Sequence, residues 1–125
     1  MEAVRLPALT KLEQKRLEEL LPEEPIEILQ ETLAAERHGE PLTIAAIIAI
    51  SVPALGAIAL WASRSTRDVT VERIETSPDG TTVTNRYTVR SREALSADTT
   101  RALADMFRVD YGALSALIAK WRASP

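Results

Sequence analysis

The stretch LTIAAIIAISVPALGAIALWAS, residues 42–63, carries no charged side chain over 22 positions, and no other feature of the chain restricts its fold as strongly. A run this apolar has to be covered, either by protein or by lipid. As one helix, rising about 1.5 Å per residue, it would match a hydrocarbon core about 30 Å thick. The run therefore predicts a transmembrane helix over residues 41–63, entered through Pro41, with Trp61, Arg64 and Arg67 at the membrane interface. The competing reading is a fully buried helix inside a protein assembly. Within the run, Ala45, Ala49, Pro53 and Ala57 recur every four residues and would form a helix-packing ridge of small residues, which suits a homo-oligomer in lipid. Pro53 would leave the carbonyl of Ala49 without its amide partner and kink the span.

Residues 1–40 read as an acidic helical segment. Thr10 and Glu13 form a capping box ahead of Leu17, Leu20 and Leu21, which starts a first helix. Pro25, the acidic residues around it and the spacing of Ile26, Leu29 and Leu33 predict a second helix that stops at Gly39. The pair is expected to form a helical hairpin.

Beyond the apolar run the period changes. Val69 and Val71, then Val83, Tyr87 and Val89, alternate with polar neighbours on either side of the turn signal SPDG, which predicts a β-hairpin over about residues 68–90. Two helices are expected after it. Ser96 caps the first, with Leu103, Met106 and Phe107 on its apolar side; Asp110 caps the second, with Tyr111, Leu114, Leu117, Ile118 and Trp121 on one face. Two strands alone lack a core, so the helix pair is their natural cover, giving a ββαα module over residues 64–125. A surface helix with Trp121 turned into lipid is the alternative use of the last segment. The fold class expected is thus α+β: a helical hairpin, one span and a ββαα module.

Charge narrows the partners. Residues 1–43 hold five basic and ten acidic groups, residues 44–125 ten basic and eight acidic, so neither part has the strongly basic surface that nucleic acid requires. Arg64, Arg67 and Arg73 follow the span closely, against Arg37 before it, which places the C-terminus in the cytoplasm by the positive-inside rule. Catalysis and cofactors are not expected. The chain has no cysteine, and its one histidine, His38, has no second imidazole with which to share a metal. Glu18, Glu19, Glu23 and Glu24 read as a solvated face, and no nucleophile elbow or phosphate-binding glycine loop is present.

An apolar, Ala-rich helix followed by RSTRDVTVERIETSPDGTTVT, with its arginines, Val/Thr strand, PDG turn and second strand, resembles the effector-associated constant component family over about residues 42–90. That resemblance implies a small bacterial protein accompanying an effector in a conflict or immunity system. Three functions follow from these readings: a single-pass anchor and interaction component that meets a protein partner through its C-terminal module, a self-associating helix that perforates the bilayer, or a soluble adaptor whose apolar helix is hidden by a partner.

Overall fold

The structure, a computed structural model, describes residues 2–21, 26–31 and 43–123. It is α+β, but its architecture is a five-stranded antiparallel sheet with four helices. The strands are β1 (Glu2–Leu9), β2 (Ile26–Glu31), β3 (Thr43–Ile48), β4 (Val69–Thr76) and β5 (Thr82–Val89); the helices are α1 (Lys11–Leu20), α2 (Val52–Ser63), α3 (Ala97–Phe107) and α4 (Tyr111–Ala123). The sheet order is β2-β3-β1-β4-β5, so the first strand of the chain lies in the middle.

The chain therefore opens with a strand, and the expected helical hairpin does not exist. Val4 and Leu6 alternate with Ala3 and Arg5 at the period of a strand and are fully buried. At Pro7 and Ala8 the pairing with β3 shifts register, and Ala8 takes a positive φ of 57°. This bulge lets Leu9, three residues after Leu6, point into the same core. The Thr10–Glu13 capping box then starts α1 as its residues predict. Ile26–Glu31, expected within the second helix, forms edge strand β2, while residues 32–42, with the remainder of that predicted helix, lie outside the described residues.

The apolar run is two elements. Ile44, Ile47 and Ile48 are β-branched and belong to β3, which pairs with β1 on one side and β2 on the other. Ser51 then caps a new helix, its Oγ accepting the Ala54 amide at 3.1 Å. Pro53 occupies the first turn of α2, where no amide hydrogen is needed, so it helps to start this helix and kinks nothing. The twelve residues of α2 reach about 18 Å. No helix among the described residues is long and apolar enough to cross a membrane, which overturns the single-pass span and the orientation derived from it. Charge is missing from residues 42–63 because β3 is an interior strand and α2 is buried nearly all round, from Ala54 through Ala59 and again at Trp61 and Ala62.

One core cluster joins the sheet to the helices: Val4, Leu6, Ala46, Ile48, Val69, Val71 and Val89 meet Leu17 of α1, Leu55 and Ile58 of α2, Leu103 and Phe107 of α3, and Leu114 and Ile118 of α4. The predicted hairpin forms from β4 and β5, with Gly80 at φ 90° completing its turn. Ser96 caps α3, Asp110 Oδ2 accepts the Ala113 amide of α4 at 2.8 Å, and the Leu103–Phe107 side of α3 is inside as expected. The helix pair does cover hairpin residues, yet β4 also pairs with β1, and α4 packs chiefly on α2.

The face of the sheet turned away from this cluster is held by charge. Arg5, Glu72 and Arg86 stand side by side on β1, β4 and β5. Glu72, with 2% of its side chain exposed, accepts from Arg5 Nη1 at 2.5 Å and from Arg86 Nε at 2.7 Å, so both carboxylate oxygens are satisfied.

Candidate functional site

Around the C-terminal end of α2 and the loop after it, two clefts, several arginines and the exposed side chain of Leu12 meet. Glu13 is the centre of this region's construction. Its Oε1 accepts the Thr10 amide at 2.9 Å, and its two carboxylate oxygens receive Arg67 Nη2 and Nε, each at 2.9 Å. Its backbone carbonyl accepts the indole Nε1–H of Trp61 at 3.0 Å. Arg67 Nη2 also donates to the Ala8 carbonyl at 2.7 Å, so the bulge in β1, the start of α1 and the loop after α2 are tied at one point. Burial pushes the Glu13 carboxyl up, but the bonds from Arg67 and Thr10 outweigh it and hold the group below its ordinary range.

Beside this knot lies an open cleft of about 630 Å³ between α1 and the end of α2. Leu12, Leu20 and Trp61 supply its apolar surface, and Arg16, Glu19 and Arg64 its charged lining. Leu12, Arg16 and Leu20 recur at four-residue steps and so share a stripe of α1 distinct from the Leu17 side that enters the core. Leu12 is 56% exposed. Arg67 is neutralised by Glu13, whereas the ion pairs seen among the described residues include neither Arg16 nor Arg64. The arrangement can hold an apolar group against Leu12 and Trp61 while a carboxylate takes a two-pronged hydrogen bond from a rim guanidinium.

A second, polar cleft on the other side of the loop is lined by Ser65, Arg67, Asp68, Arg90, Arg92 and Glu93. Here acids and arginines are interleaved, and Ser91 fastens the walls together by donating its Oγ–H to the Ser65 carbonyl at 2.8 Å and its amide to Asp68 at 3.3 Å. Hydroxyls nearby are likewise spent on the backbone: Ser63 donates to the Leu60 carbonyl and Thr100 to that of Ser96. Among the described residues no group of acidic or imidazole ligands converges as a metal site, and His38 lies outside them.

The structure scatters the predicted helix-packing residues. Ala45 is on β3, buried but outside the core cluster; Ala49 is exposed in the connection after β3; Pro53 is exposed in the first turn of α2; Ala57 is buried in that helix. No common ridge exists, because the four belong to a strand, a connection and a helix. The interface residues do come together, in a different role: Trp61 forms the floor of the cleft, Arg64 ends α2 and Arg67 binds Glu13. Leu12 and Arg16 were not singled out by the sequence, although an apolar residue on the otherwise charged side of α1 is the signal that marks such a site. Comparisons with protein-family models, with curated proteins and with solved structures give no match.

Proposed function

We propose that the protein is a non-enzymatic interaction adaptor that receives, in the cleft between α1 and α2, a short partner segment bearing a leucine-like side chain next to a carboxylate. The observation that carries this reading is Leu12, exposed in a cleft also lined by Trp61 and by two arginines, Arg16 and Arg64, that are outside the ion pairs of the described residues. Burying such a side chain contributes about 1.5–3 kcal/mol, and a charge-assisted pair with Arg16 or Arg64 adds orientation. Glu19 on the same rim disfavours a uniformly acidic ligand, so the segment has few charges and places them locally. The apolar helix α2 is covered within the chain, so the partner is not needed to hide it and meets this cleft instead. The resemblance of residues 42–90 implies that such a partner belongs to a bacterial conflict or immunity system.

Selection of random displayed peptides on the full chain tests the proposal. Enrichment of leucine flanked by Asp or Glu is expected, with affinity by calorimetry falling at least about tenfold, or 1.4 kcal/mol, in Leu12→Asp and in the Arg16→Glu/Arg64→Glu pair. Absence of any consensus, or a consensus indifferent to these three positions, overturns it.

A further inference from the structure

Strand β5 ends the sheet and exposes its outer edge along most of its length, with Val83 50% exposed. The direction of its backbone groups follows from the hairpin turn. Ser77 donates its amide to the Thr81 carbonyl at 2.8 Å, which makes that pair a hydrogen-bonded one. Pairing continues without a bulge from Thr76↔Thr82 to Val69↔Val89, and bonded pairs alternate with unbonded ones. Residues 83, 85, 87 and 89 therefore turn their amide and carbonyl groups toward β4. Thr82, Thr84, Arg86 and Thr88 turn theirs outward, where no strand among the described residues meets them.

An edge of this kind is usually blunted by proline, lysine, a bulge or a short strand. TVTNRYTV has none of these over eight residues, and its one charge, Arg86, is paired with Glu72 within its own chain; β2 at the opposite edge is shorter and carries Glu27 and Glu31. We propose that β5 pairs antiparallel with β5 of a second copy, about a two-fold axis at Asn85, to make one continuous ten-stranded sheet.

Self-complementarity selects both the occupant and the register. With Asn85 opposite itself, each outward-facing residue meets another: Thr84 faces Arg86 of the second copy, and Thr82 faces Thr88. The intervening unbonded pairs bring side chains closest, and these are Val83 against Tyr87 and Asn85 against Asn85, whose carboxamides can donate to and accept from each other. The most exposed apolar residue of the strand is thereby covered by a ring already half-buried on its own core. Sliding by one pair in one direction sets Arg86 against Arg86, and in the other sets Val83 against Asn85. In the favoured register Arg86 keeps its bond to Glu72 on the reverse face, so no like charges meet at the seam. None of the residues lining the α1/α2 cleft lies in β5, so pairing and cleft binding succeed or fail separately.

Sedimentation analysis over a concentration series, with cysteine cross-linking, tests the inference. The chain contains no cysteine, so Asn85→Cys introduces a single thiol whose counterpart across the axis stands about 4.5 Å away between Cα atoms. Rapid oxidation to a disulfide-linked dimer is expected. Thr88→Cys, whose own counterpart is displaced by about 20 Å along the seam, should cross-link at least about tenfold more slowly. Asn85→Asp, an exposed change that sets two carboxylates face to face, should weaken dimerisation at least about tenfold, and Thr84→Pro, which removes an outward amide but no bond to β4, should abolish it. A wild-type chain that stays monomeric throughout the series overturns the pairing. So does a dimer unaffected by Asn85→Asp, or equal cross-linking from positions 85 and 88.

Discussion

Ala8 shows how a single residue sets the geometry of the site. Its φ of 57° is costly for any side chain with a Cβ, by roughly 1–2 kcal/mol, and it is kept because the bulge delivers Leu9 to the core and offers the Ala8 carbonyl to Arg67. Ala8→Gly removes that steric cost and should raise the denaturation midpoint slightly, while Ala8→Val, branched at Cβ, should lower stability by about 2 kcal/mol or more in the same urea titration. Glu13 carries a different kind of dependence. Its folded-state pKa lies below the unfolded one, so its contribution is complete above the unfolded value and is lost as pH falls through the folded value. Glu13→Gln should therefore cost about 1 kcal/mol near neutral pH, and the gap between variant and wild type should close as the solution is acidified below the ordinary glutamate range. A gap that is constant with pH would assign the loss to packing instead of charge.

At the scale of elements, the division of residues 43–63 decides the architecture, and a pair of alanines tests it. Ala57 is buried in α2 whereas Ala49 is exposed in the connection before it. Ala57→Leu should overpack the core and cost about 1–3 kcal/mol, while Ala49→Leu should change stability by no more than about 0.5 kcal/mol, both read from chemical denaturation. On a shared helical ridge the two would behave alike. Elements with local punctuation were legible in the sequence: the hairpin through its SPDG turn, α1 through Thr10 and Glu13, α3 through Ser96 and α4 through Asp110. What misled was burial. An interior strand followed by a helix covered on all sides has the same uncharged composition as a membrane span, and only Ser51 and Pro53, which mark a helix start, separate the two. The Val4/Leu6 alternation was available too, but Pro7 and the bulge cut it short before it could stand out against the capped helix that follows. Of the cleft, the sequence marked Trp61, Arg64 and Arg67 for a lipid role and passed over Leu12, because which side of a helix is vacant depends on partners distant along the chain.

The whole molecule depends on its first strand. β1 pairs with β3 on one side and β4 on the other, so residues 2–9 join the β2-β3 pair to the hairpin, and the core cluster runs through Val4, Leu6 and Leu9 into all four helices. Among the described residues the buried apolar side chains of sheet and helices, Ala45 apart, fall in this one cluster, so none of these elements has a separate core with which to survive the loss of that strand. Leu6 has no exposed surface, and truncating it leaves a cavity where the sheet meets the helices. Leu6→Ala should cost about 2–5 kcal/mol, a large share of the roughly 5–15 kcal/mol that holds a domain of this kind together. Because the damage is shared, far-ultraviolet circular dichroism, which follows strands and helices together, and tryptophan fluorescence, which includes Trp61 beside α1, should move to a lower denaturant midpoint by the same amount and remain superimposed. If the ββαα segment instead held its own core, Leu6→Ala would split the curves, melting the N-terminal strands first and leaving a second transition at the wild-type midpoint.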